Sequence, residues 1–95
     1  MKTKNEYIEI LATQLREWSA DIDQLSEKTE KAAALVKLNY IEELNALRAK
    51  QLAAEAKMTE LEASGHEGWD AMKLTADRVW DDLRSSLADV AAKLK

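Results

Sequence analysis

No proline occurs anywhere in the 95 residues, and the two glycines, Gly65 and Gly68, sit together. Proline and glycine are the residues a helix interior tolerates least. A chain that confines them to one point offers almost nothing to interrupt a helix elsewhere. Ahead of that point, apolar side chains recur every three or four positions from Ile8 to Leu61, the period of a helix with one buried stripe. The expectation is a long helix over about residues 3–63, a turn over about 64–67 and a second helix over about 67–94. A helix of about 60 residues is ~90 Å long and has no interior of its own, so its stripe must be covered by another helix. The class is therefore all-α, with residues 1–95 forming a single helical coiled-coil domain.

Thr3 and Glu6 have the spacing of a capping box, which marks the start of the first helix. Ile8, Leu11, Leu15, Trp18, Ile22 and Leu25 follow at spacings of 3, 4, 3, 4 and 3, a heptad seam. From Leu25 the best row becomes Thr29, Ala33, Val36, Tyr40, Leu44 and Leu47, at 4, 4, 3, 4, 4 and 3. Eleven residues in three turns predict a nearly straight or slightly right-handed stripe. The row then continues through Gln51, Ala54, Met58 and Leu61. Leu35, Leu38, Ile41 and Leu52 are read as widening that stripe, which suits a bundle of three or four helices better than a two-stranded coil. Thr29 and Gln51 are polar at core-row positions, either as tolerated imperfections or as residues that specify register.

The one visible break is Ala63-Ser64-Gly65-His66-Glu67-Gly68, where Ser64 and Glu67 repeat the capping-box spacing. Gly65 suits a left-handed helix cap or the first turn of the next helix. A bend is expected here, with a continuous helix as the alternative. The second helix carries Trp69, Met72, Ala76, Val79, Trp80, Leu83, Leu87, Val90 and Leu94 along one side and Asp70, Asp77, Asp81, Asp82 and Asp89 along the other.

The unequal helix lengths predict an assembly. A hairpin would cover only half of the first helix and leave Ile8 to Leu25 bare, a patch too large for a soluble monomer. Two chains with their long helices antiparallel, each short helix folded back over its own end, would give a three- or four-helix rod. The expected oligomer interface is Ile8, Leu11, Leu15, Trp18, Ile22, Leu25, Val36, Tyr40, Leu44 and Leu47. Packing between the long and short helices falls to Trp69, Met72, Val79, Trp80, Leu83, Leu87 and Val90. The expected partner is the chain itself, most simply as an antiparallel homodimer, with an unidentified protein partner also allowed.

Little in the chain can do chemistry. There is no cysteine and a single histidine, His66, so no three- or four-ligand metal site can be assembled from His and Cys. The acidic pairs Glu6/Glu9, Glu27/Glu30 and Asp77/Asp81 lack the Glu-x-x-His partners of carboxylate-bundle metal sites. No catalytic triad or glycine-rich phosphate loop can be built, and neither an enzyme nor a cofactor is expected. Net charge is −4 with both signs interspersed, so no segment carries the basic patch that nucleic acid requires. The second helix has two Trp on an apolar face, but its polar face is mostly Asp rather than the Lys/Arg favoured by anionic lipid. Burial against protein is expected there, not membrane. The N-terminus is polar and unlike a signal peptide, which makes the cytoplasm the expected location.

The opening Thr3-Lys4-Asn5-Glu6-Tyr7-Ile8-Glu9, then Leu15, Trp18 and Asp21-Ile22-Asp23, and later Ser64-Gly65, Gly68-Trp69 and the Trp80-x-x-Leu83 row resemble a family of small bacterial coiled-coil proteins. That family, found in cyanobacteria and proteobacteria, is linked to stress responses. The resemblance implies a soluble, helical, non-enzymatic protein and transfers no functional residue. The eleven-residue period is also similar to that of late-embryogenesis-abundant proteins and exchangeable apolipoproteins, although the repeated units of both are missing. Two functions are then open: a self-associating structural or interaction protein, or an amphipathic stress protectant that coats membranes or unfolded chains.

Overall fold

A computed structural model of the chain describes residues 3–65 and 68–93. Three helices of similar length, α1 (Lys4–Glu30), α2 (Ala34–Ala63) and α3 (Gly68–Lys93), pack as an up-down-up bundle about 50 × 17 × 17 Å. Cross-helix hydrogen bonds fix the directions. Lys4 Nζ at the start of α1 donates to the Ser64 carbonyl at the end of α2. Tyr40 Oη near the start of α2 donates to the Lys93 carbonyl at the end of α3, at 2.9 Å. Trp80 Nε1 donates to the Leu11 carbonyl at 3.1 Å, tying α3 to α1, which runs parallel to it.

The expected long helix over 3–63 is broken at Lys31-Ala32-Ala33, and this is the main correction to the sequence reading. No proline or glycine marks the place. The Lys31 amide still bonds to Glu27 O and the Ala32 amide to Thr29 O, a tightened last turn. Ala33 then turns extended, with φ −59° and ψ 153°, and α2 starts without a side-chain cap. The reason is in the packing. Residues 26–34 contain no large apolar side chain, so opening the helix here sacrifices no core contact. The opened backbone groups cost about 1 kcal/mol each in net hydrogen bonding. Folding back fully buries Ile22, Leu47, Leu61 and Leu83, each worth about 1.5–3 kcal/mol. Burial wins.

The break also dissolves the eleven-residue stripe. Its apparent change of period between Leu25 and Leu44 spans two helices and their connection, not one straight helix. Within each helix the buried rows keep heptad spacing: Leu44, Leu47, Ala54, Met58 and Leu61 in α2, and Ala76, Trp80, Leu83, Leu87 and Val90 in α3. In α1 the row is Tyr7, Leu11, Ile22, Leu25 and Thr29. Thr29, the one buried polar residue among the described residues, donates its hydroxyl to the Leu25 carbonyl at 2.9 Å and is satisfied within its own helix.

The helix ends are built locally. Thr3 caps α1, its Oγ1 accepting the Glu6 amide at 3.2 Å. At the second turn Gly65 takes no left-handed conformation. Its carbonyl instead receives the amides of Gly68 and Trp69 at 3.1 and 3.2 Å, which opens α3. His66, Glu67 and Leu94 lie outside the described residues.

Candidate functional site

Most of the residues expected to form an oligomer interface are used inside one chain. Leu11, Ile22, Leu25, Leu44 and Leu47 are buried in the three-helix core, and Ile8, Leu15 and Trp18 pack half-buried against it. In the bundle α2 and α3 cover most of this row, so the bare N-terminal stripe that predicts an assembly is not left over. Tyr40 is half-buried through its bond to Lys93 O, and Val36 is 40% exposed at the start of α2. Of the residues assigned to packing between helices, Trp80, Leu83, Leu87 and Val90 are in the core, with Trp69, Met72 and Val79 packed on it.

Polar seams align the helices. On the α1–α2 side, Arg48 bonds Asp23 Oδ1 at 2.8 Å, Ser26 Oγ at 3.2 Å and Gln51 Oε1 at 3.0 Å. Gln51 passes the network on to Ser19 Oγ at 2.8 Å. This gives the polar residue in the core row of α2 a definite partner across the interface, as a register device requires. On the α2–α3 side, Lys50 bridges to Asp82 and Ser86, and Lys93 pairs with Glu43. The Glu43 carboxylate holds the Lys93 ammonium above its ordinary pKa.

The α1–α3 seam holds a cluster the sequence did not single out. Tyr7 is buried where Ile8 was expected. Its single hydroxyl hydrogen is donated to Asp77 Oδ1, with the Lys73 carbonyl a second acceptor 3.2 Å away. Its ring lies 5.8 Å from that of Trp69, and Lys73 Nζ stands over both rings, 5.4 and 5.6 Å from their centroids. Burial first, and then the bond to Asp77, pushes the Tyr7 pKa well above its ordinary value. The members of this cluster contact one another and clamp the starts of α1 and α3 together. Trp18 lines a shallow groove of about 450 Å³ between α1 and α3, with Leu25, Arg84 and Leu87.

Among the described residues no group of three or more His, Cys, Asp and Glu side chains could hold a metal ion. None of the described helices is long and apolar enough to cross a membrane.

Large apolar side chains stay exposed singly at Ile10 on α1 and Leu74 on α3, and as a group on the outer face of α2. Leu35, Leu38, Ile41 and Leu52 are 78, 67, 43 and 64% exposed. The sequence reading merged them with the core stripe as one wide band; the structure separates them into a second stripe on the opposite side. Leu35 and Leu44, Leu38 and Leu47, and Leu52 and Leu61 are each nine residues apart. Nine residues are two and a half turns, so one member of each pair points to the core and the other to water. That spacing was present in the chain, but it identifies an outer face only once the inner one is known. No protein-family model, curated protein or solved structure matches the chain.

Proposed function

We propose that the protein is a non-enzymatic helical interaction protein that associates with itself through the outer face of α2. The observation that carries this is the exposed apolar stripe of Leu35, Leu38, Ile41 and Leu52 on a helix whose other side is already buried in the core. Stripes of this kind mark interaction sites rather than ordinary surface.

The magnitude is suitable for a reversible contact. Complete burial of a Leu or Ile is worth about 1.5–3 kcal/mol. Scaled by the exposures of Leu38, Ile41 and Leu52, covering those three contributes roughly 2.5–5 kcal/mol per copy. Two copies together contribute roughly 5–10 kcal/mol, against an association cost of about 4–15 kcal/mol. A dimer that dissociates on dilution is expected. Lys37 and Arg48 alternate with Glu42 and Glu55 beside the stripe. Mixed charge of this kind favours protein over anionic lipid, which selects Lys/Arg-rich flanks. A link to stress responses rests on the sequence resemblance alone.

Light scattering across a concentration series tests the proposal. The mass should rise from monomer toward dimer, and Leu38→Glu with Leu52→Glu should hold the chain monomeric while its helical signal is retained. A wild-type chain that remains monomeric at high concentration refutes it.

A further inference from the structure

The geometry points to one arrangement for this contact: a second copy of the chain laid antiparallel on α2, with a two-fold axis beside Asn45. It rests on the self-association proposed above. Along the outer face run Leu38, Ile41, Asn45, Ala49 and Leu52, all exposed. Their spacings are 3, 4, 4 and 3, which read the same in both directions from Asn45. Ala34 and Ala56, each eleven residues from Asn45, extend the symmetry to both ends.

A palindromic row is what a two-fold antiparallel pair needs, because each residue then meets its mirror position on the partner. Leu38 of one copy faces Leu52 of the other, Ile41 faces the small Ala49, and Ala34 faces Ala56. Asn45 meets its own copy at the axis. A lone polar residue there can satisfy its amide only in this register, the role such a residue has in coiled coils.

The flanking charges suit the same orientation and make it testable. Lys37 and Glu55 lie on the same side of α2, eighteen residues apart, which is five full turns. In an antiparallel pair, matching flanks of the two helices face each other. Lys37 of each copy therefore lies beside Glu55 of the other, at both ends of the contact. In a parallel pair opposite flanks meet, so Lys37 and Glu55 would stay apart and Lys37 would lie toward the Glu42 side instead. The axis also leaves both cores undisturbed, since neither Leu44 nor Leu47 has to turn outward.

The chain has no cysteine, so single-cysteine variants report the pairing directly. Under mild oxidation Asn45→Cys should form a disulfide dimer. Leu38→Cys alone and Leu52→Cys alone should form no disulfide crosslink, because like positions in the pair are separated by about 21 Å along the axis. Mixing those two variants should give the mixed disulfide dimer. Lys37→Glu should weaken association, and adding Glu55→Lys should restore it. Leu38→Cys crosslinking to itself, or an association defect that the charge-swapped double variant does not repair, overturns the antiparallel pair. A wild-type dimer by light scattering with no crosslink through Asn45→Cys overturns this arrangement alone. A wild-type monomer overturns self-association as well.

Discussion

Replacing Ala34 with proline distinguishes a broken first helix from a continuous one. Ala34 is the first residue of α2, and Ala33 before it is extended, with ψ 153°. The first helical residue has no intrahelical acceptor for its amide, and proline is favoured at that position. An extended residue before it is also what proline imposes. Ala34→Pro therefore loses no hydrogen bond in this fold and restricts the unfolded chain, for a gain of about 0.4–1 kcal/mol. In a continuous helix over 3–63 the same residue would sit in the interior, where proline costs about 3 kcal/mol or more. At about 4–8 °C per kcal/mol for a domain of this size, the two cases differ in sign and by well over 10 °C. Thermal melts followed by far-ultraviolet circular dichroism are the assay, run at one protein concentration because the proposed self-association would shift the midpoint. A Tm equal to or a few degrees above wild type is expected. A fall of about 10 °C or more would refute both the break and the packing argument that places it. Ala33→Asp is the companion: in the capping position just before α2 it should cap the helix and add about 1 kcal/mol.

Other perturbations address the core and the seams. Ile22→Ala, at a fully buried site, should cost about 2–5 kcal/mol in denaturant unfolding; a loss below about 1 kcal/mol would mean that Ile22 is not in the core. Trp80→Phe keeps most of the ring burial but removes the donor to Leu11 O, and should cost about 0.5–1.5 kcal/mol. Tyr7 links stability to pH. Its pKa is raised in the folded state, so below about pH 10 both states hold the proton and the stabilisation is fully present. As pH rises beyond that, the unfolded chain releases its proton while the folded one retains it, and stability falls. Tyr7→Phe removes this contribution, so the stability gap between variant and wild type should narrow from about pH 9 to about pH 11 in urea titrations. A constant gap would refute the buried, Asp77-bonded hydroxyl.

The helical class was legible because the 3-4 spacing of Leu11, Ile22, Leu25, Leu83, Leu87 and Val90 admits no other regular structure. The end of a helix at Ala63 was legible because Ser64 and Gly65 follow it. The break at Lys31-Ala32-Ala33 was not, because alanine has the highest helix propensity and nothing there caps a helix. Its trace is negative, a run over 26–34 with no large side chain to hold two helices together. The choice of Tyr7 over Ile8 was likewise hidden: both border the stripe, and only Trp69, Lys73 and Asp77 of α3 give Tyr7 a stacking partner and an acceptor. The outer stripe of α2 was visible as residues but not as a surface, since Leu38 and Leu47 look alike in a sequence and differ only in which side the bundle covers.

Local rules therefore determined what this chain is made of: helices with heptad rows and a capped start at Thr3. Tertiary structure decided how many helices there are and which way each one faces. The physical reason is one of scale. Propensity separates helix from break by about 1 kcal/mol per residue at most, apart from proline. Covering several large apolar side chains with the chain's own helices is worth several times that. Local preference can therefore permit a long helix, but the demand for burial folds it in two and turns Leu35, Leu38, Ile41 and Leu52 to the outer side of α2.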